Sequence, residues 1–309
     1  ENVSASSNLT FEDRDLASSY TSSLVAVLSA ATNVERRQAI RDTFYEAQLG
    51  DASVLRFFVC EEIPTDSDEG QSDVLIVPCD EGIYGGYLAR KTKNILNVFN
   101  SDYDRSLLIL LEDDTFVAWR RLQSFFEGIA PIQNPVRYFN AYMGVPYGAG
   151  HPVNRIPESS LFQPRDVYPN ETYPMYMDRS FTVLGRELVR QIVGTGLSER
   201  LQLRNRDAAL GVWVDRLKQD GVDVRYVSIP GLHSIGDGTW LGCNRTWAEF
   251  PFLIQHGMEP QDIKCLGKAD AEEDPSAPIE PCFPACKDVM PIIEDSMEVD
   301  KKSLGPADR

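Results

Sequence analysis

The chain has 309 residues, 42% of them hydrophobic, enough to bury a sizeable core in one large α/β unit. Its formal charge is −17, from 47 acidic against 30 basic residues, which argues against wrapping nucleic acid, because that needs a basic face to neutralise phosphates. An anionic ligand here needs local arginines or a metal ion.

Residues 1–22 are rich in Ser, Asn and Thr and read as a flexible stem. The run Leu24–Leu28 is a short buried strand, and ERRQAIRDTFYEA (35–47) has helical spacing, with Ile40 and Phe44 on one face and Arg37 and Arg41 four apart. VLRFFVC (54–60) and VLIVPC (74–79) read as further strands, separated by an acidic loop. A helix is expected over 85–100, a fourth strand over LLILL (107–111) and another helix over 118–129. Apolar strands alternating with helices imply parallel strands covered on both faces.

Residues 130–172 are rich in Pro, Gly, Asn and Tyr and read as long loops. A helix follows over 186–197. The next, 207–221, is capped by Asp207 and stopped by Gly221, and a late strand spans 222–229. From Ala269 the chain turns acidic and proline-rich, and 269–309 reads as an irregular tail.

Six cysteines and four N-x-S/T sequons, at Asn2, Asn8, Asn170 and Asn244, favour the secretory pathway, with disulfides and glycans. Cys60 and Cys79 end neighbouring strands and are candidates to pair, as are Cys243 and Cys265, which leaves Cys282 and Cys286. No apolar run is long enough to cross a bilayer. The chain starts at Glu1 without a signal peptide, as expected of a mature form lacking its targeting segment.

The fourth strand runs straight into Glu112, Asp113 and Asp114. A parallel strand ends at the edge where ligands bind, and adjacent carboxylates repel unless a cation joins them. A hard divalent cation with oxygen ligands could sit here and grip a diphosphate. A charged turn before a helix start would look the same.

The surrounding blocks add a resemblance. ERRQAIRDTF (35–44), YGGYLARKTKNIL (84–96), EDDTFV (112–117), VYPNETYPMYMDRSFTVLGREL (167–188), NRDAALGVWVDRL (205–217) and FLIQHGMEPQDI (252–263) occur in the order and spacing of one family. They resemble motifs of the β-1,3-glycosyltransferases, which include β-1,3-galactosyl- and N-acetylglucosaminyltransferases and, more distantly, fringe proteins. The resemblance implies an α/β, GT-A-like fold, a Rossmann-like mixed sheet with helices on both faces. It divides the chain into a stem (1–22), a catalytic domain (23–268) and a tail (269–309). It also implies a UDP-sugar donor, a glycan or glycoprotein acceptor, Mn²⁺ or Mg²⁺, inverting transfer with a β-1,3 linkage, and residence in the Golgi or ER lumen as a type II protein whose membrane anchor is absent from this chain.

Matched residue by residue, Asp114 resembles the family's metal-binding Asp, with Glu112 and Asp113 at the nucleotide sugar or orienting Asp114. His256 resembles a further metal ligand, with His233 as its rival. Asp207 resembles the catalytic base, although a cap is the plainer role for it. Arg37, Arg41 and Lys91 are candidates for the donor's phosphates, with structural ion pairing as the alternative for Arg41. Tyr173, Tyr176, Asp178, Arg179, Trp213 and Trp240 are candidates for the donor or acceptor pocket. Three departures stand out: Glu112 for Asp, Arg206 where the family has Glu, and Arg179–Ser180–Phe181 where it has a glycine triplet. The last two raise a second reading, an inactive member acting as a glycan-binding or chaperone-like module. A metal-dependent phosphohydrolase is a third, weakened by the lack of a second acidic cluster.

Overall fold

A computed structural model of the chain describes residues 22–47, 53–63, 71–82, 86–129, 139–229, 232–233, 246–249, 253–272, 276, 278–279 and 282. Residues 1–21 of the stem, the chain beyond Cys282, and Trp240, Cys243 and the sequon asparagines Asn2, Asn8 and Asn244 lie outside the described residues.

The first half winds as expected. Strand β1 (Ser23–Leu28) leads to helix α1 (Val34–Ala47), then β2 (Val54–Val59), β3 (Val74–Ile76), α2 (Tyr87–Asp102) and β4 (Leu107–Glu112). Strand β1 lies parallel between β2 and β4, and β3 adds to β2 in parallel. Each strand points alternate side chains to opposite faces. Leu24, Ala26, Leu28, Leu108 and Leu110 pack under α2, while Val25, Val27, Ile109 and Leu111 pack under α1. Burial on both faces explains why these strands read as continuous apolar runs.

The second half departs from the sequence reading. The stretch expected to be all loop holds β6 (Ala141–Tyr147), and a long strand β7 (Tyr176–Gly185) follows it. The register of β6 on β7 shifts between Gly144 and Pro146, so the strand carries the Gly and Pro of a bulge and looks like a loop in sequence. Strand β7 inserts antiparallel between β4 and β6. With helices α3 (Trp119–Ile129), α4 (Arg186–Gly194), α5 (Leu197–Arg200) and α6 (Arg206–Gln219) and strand β8 (Arg225–Ser228), the main sheet runs β3-β2-β1-β4-β7-β6-β8. Helices α2, α4 and α6 cover one face, and α1 and α3 the other. This is the expected mixed α/β sheet.

A small second sheet orders β5 (Thr115–Val117), β10 (Ile254–His256) and β9 (Leu232–His233). Helix α7 (Pro260–Glu272) follows and packs on α1. It runs through the boundary expected at 268, with Ala269 and Asp270 buried, and Ile279 and Cys282 bury against Phe116, Trp247 and Leu266. Cys60 pairs with Cys79 as expected, whereas Cys265 pairs with Cys282 rather than Cys243. Cys282 is buried in the cluster that α7 packs into, with Cys265 against it. Among the described residues no helix is long and apolar enough to cross a membrane.

Candidate active site

The site forms where β4 ends. Glu112 is the last residue of β4, Asp113 and Asp114 make the turn, and Thr115 opens β5. Strand β10 pairs antiparallel with β5 so that His256 faces Thr115, and the Met258 amide donates to the Asp114 carbonyl at 2.8 Å. This local sheet, not proximity in sequence, brings His256 to the acids. His256 Nε2 lies 3.0 Å from Glu112 Oε2 and 3.2 Å from Asp114 Oδ1.

Glu112, Asp114 and His256 each offer one ligand atom, all within 4.8 Å of one another. Two carboxylate oxygens and an imidazole nitrogen form a donor set for a divalent cation. Burial works to lower the His256 pKa, but its hydrogen bonds to Asp114 and Glu112 and their charges push it up to about 10. Burial likewise opposes ionisation of Asp114, yet the hydrogen bond and charge of His256, with Arg36, hold its pKa below the usual range. Only the backbone of His233 is described; it pairs with Gln255 on β10.

Asp113 turns the other way. It accepts from Ser29 Oγ at 2.6 Å and Asn33 Nδ2 at 2.9 Å, with Arg36 Nη1 at 3.4 Å. Burial raises its pKa against these hydrogen bonds. It therefore ties β4 to the β1–α1 loop.

Asp207 is the second residue of α6. The expected cap is corrected here: Asn205 Oδ1 caps the helix, accepting from the amides of Asp207 at 3.0 Å and Ala208 at 3.2 Å. The Asp207 carboxylate is thus spared, and its buried Oδ1 has no hydrogen-bond partner among the described residues. Burial, then the charges of Glu112 and Asp178, push its pKa up to about 7 against the pull of Arg206 and Arg179. A carboxylate that titrates near neutrality beside a polar cluster is suited to moving a proton.

The cations expected at the donor's phosphates each have partners within the protein. Arg37 is fully buried and donates to Ser29 Oγ and to the carbonyls of Ala30 and Ala31, so it pins the β1–α1 loop. Arg41 makes a two-pronged pair with Asp73 at 2.8 and 2.9 Å and lies over the Phe57 ring. Lys91 is buried and donates to the Ser29 carbonyl and to Glu81, both at 2.8 Å. Burial lowers its pKa, with Glu81 opposing. Trp213 is core, its Nε1 donating to the Leu201 carbonyl at 2.9 Å. Tyr173 is also buried and stacks on Tyr168.

The cations that do reach the acids are Arg36, Arg179 and Arg206, the first absent from the sequence reading. Arg206 Nη1 lies 3.4 Å from Glu112 Oε1 and donates to the Arg179 carbonyl at 2.6 Å. Of Arg179–Ser180–Phe181, only Arg179 is exposed. Ser180 is buried on Asp178, and Phe181 lies in the core beneath α1 and α3. Tyr176 stacks on half-exposed Tyr147, with His151 beside both. A Cβ on Gly211 would come within 2.5 Å of Tyr176 Cβ. Gly211 lies one helical turn from Asp207 on the same face of α6, so the aromatic pair flanks Asp207.

The family model described as Galactosyltransferase matches residues 35–225. The chain belongs to this family. A β-1,3-galactosyltransferase of Arabidopsis thaliana, GALT1, is 23% identical over 258 residues, covering 79% of this chain and 36% of that protein. A lactosylceramide 1,3-N-acetyl-β-D-glucosaminyltransferase of Danio rerio is 26% identical over 223 residues, covering 67% and 57%. The chain thus spans between a third and three fifths of the length of these curated relatives. Among solved structures, the galactosyltransferase LgtC with donor and acceptor sugar analogues is similar at 8% identity and TM-score 0.39, covering 77% of this chain and 88% of that one. A glycosyltransferase that acts in glycosylating the major capsid of PBCV-1 is similar at 11% identity and TM-score 0.39, covering 80% and 98%.

Proposed function

We propose that this member of the galactosyltransferase family is an inverting glycosyltransferase that moves a sugar from a UDP-sugar to a hydroxyl of a glycan or glycoprotein, forming a β-1,3 linkage. The observation that carries the reading is the uncapped Asp207 carboxylate held next to the Glu112–Asp114–His256 triangle. Family membership and the two relatives support donor class and linkage. Bound Mn²⁺ or Mg²⁺ would supply Lewis acidity toward the leaving diphosphate. Asp114, His256 and Glu112 are the residues to hold it. Asp207 accepts the proton of the acceptor hydroxyl as that oxygen attacks C1 of the donor sugar. Asp113, Arg37 and Lys91 act indirectly, by fixing the loop after β1 and the turn after β4.

The secretory setting follows the same reading. The Cys60–Cys79 and Cys265–Cys282 disulfides and the exposed sequon at Asn170 fit an oxidising lumen, so we place the protein in the Golgi or ER. The stem, catalytic domain and tail of the sequence reading are kept, with α7 and its disulfide added to the catalytic unit.

Release of UDP from a panel of UDP-sugars, with Mn²⁺ present, tests the reading. Turnover by the native chain, lost on Asp207→Asn and on Asp114→Ala, is expected. A folded native chain that turns over no donor favours the second reading, a binding module, which the Arg179 side chain lying on Glu112 (3.6 Å) motivates.

A further inference from the structure

The acids after β4 already carry cations of the protein's own. Glu112 is met at both oxygens: Arg206 Nη1 stands 3.4 Å from Oε1, while His256 Nε2 and Arg179 Nε stand 3.0 and 3.6 Å from Oε2. Asp114 is met by His256 and, at 3.7 Å, by Arg36. These cations differ in freedom. The Arg206 side chain is 2% exposed and fixed on the Arg179 carbonyl, and His256 is 12% exposed and held in β10. Arg36 also reaches Asp113. Arg179 is 47% exposed, and its guanidinium feels Glu112 first, then Asp207, Asp178 and Asp114.

Glu112 Oε2 is therefore claimed twice. It is one of the oxygens a divalent cation would use, and it is the oxygen on which Arg179 rests. A guanidinium and a divalent cation cannot share one carboxylate oxygen at this range without strong repulsion. The most exposed cation is the one that can leave.

We propose that Arg179 is a built-in counter-ion that competes with the divalent cation for Glu112, and that a nucleotide diphosphate relieves the competition by drawing the guanidinium away. The inference rests on the metal-dependent transferase reading above. Arginine pairs well with phosphate oxygens, so the diphosphate offers Arg179 a second partner when the cation takes the first. Metal and nucleotide then strengthen one another, each by the same factor.

Calorimetric titration of Mn²⁺ into the native chain, Arg179→Ala, Arg179→Lys and Asp114→Ala, with and without UDP, tests this without any turnover. Arg179 is a surface side chain, so its variants are expected to fold. Arg179→Ala should bind Mn²⁺ about tenfold tighter than the native chain in the absence of UDP, from loss of one adjacent positive charge. Arg179→Lys should stay near the native value. UDP should tighten Mn²⁺ binding several-fold in the native chain and much less in Arg179→Ala. Mn²⁺ binding that needs Asp114 but is equal or weaker in Arg179→Ala overturns the competition and leaves the transferase reading standing. UDP coupling that is the same in both proteins overturns the relief by diphosphate. Absence of Mn²⁺ binding in every protein overturns the metal site and the competition together.

Discussion

At Asp207 two roles that look alike in sequence come apart in space. An Asp before an amphipathic run reads as a helix cap, yet Asn205, two residues earlier, caps α6, and Asp207 Oδ1 has no hydrogen-bond partner among the described residues. Asp207→Asn should abolish transfer while preserving the fold, which circular dichroism and UDP release would check. In the native chain the rate should fall as pH drops below about 7, because the proposed base works ionised and burial, with Glu112 and Asp178, raises its pKa to that value. Stability should move oppositely. Folding raises the Asp207 pKa from 3.8 to about 7, so the folded chain keeps a proton that the unfolded chain releases. Asp207 therefore costs stability as pH rises through this window, and in full above it. Asp207→Asn should melt a few degrees above the native chain at pH 8 and show little difference at pH 4. Glu112, Asp114 and His256 stand out in sequence because short motifs carry them, and the fold brings the three together. Arg37, Arg41 and Lys91 could not be sorted in sequence, because a phosphate-binding cation and a buried structural cation share the same residue types. Their partners Asp73, Glu81 and the Ala30 and Ala31 carbonyls come from segments distant in sequence or from the backbone, where no motif shows them.

Among the elements, strands β1, β2 and β4 were plain in sequence because both of their faces are buried. Strand β6 was hidden by the bulge around Gly144 and Pro146, and β7 by the polar run Asp178–Ser180 at its start, of which Asp178 and Ser180 are buried. Helix α7 crosses the expected tail boundary at 268, where acids and Cys interrupt its apolar pattern, although Ile263 and Leu266 bury one face. Its seat on α1 depends on Gly267, where a Cβ would come within 2.1 Å of Thr43 Cγ2. Gly267→Ala should push α7 off α1 and cost about 1–3 kcal/mol, read by urea denaturation. Ala at Thr43 in the same chain should recover part of the loss. The Cys265–Cys282 bond closes a loop with a sequence separation of 17 and staples α7 to the chain beyond it. Cys282→Ser should cost about 2–4 kcal/mol, with α7 becoming the most rapidly exchanging helix by hydrogen exchange. His256 lies just before α7, so this variant should also weaken binding at the acids.

For the whole molecule, the formal charge of −17 disfavours an anionic donor unless cations gather locally. The fold gathers them at one sheet edge. Strand β4 delivers the acids, β10 brings His256, and α1, β7 and α6 bring Arg36, Arg179 and Arg206. The seven-stranded mixed sheet supplies the frame, and the family match over residues 35–225 spans β4, β7 and α6 but stops short of β10. The central claim is a metal-dependent nucleotide site at the end of β4. The most direct test is the melting temperature of the purified chain with UDP, with and without Mn²⁺, repeated on Asp114→Ala. A ligand that binds the folded state alone raises that temperature. A rise with UDP and Mn²⁺ together, lost in Asp114→Ala, is the predicted result; no rise in the native chain, or one that survives Asp114→Ala, contradicts the account.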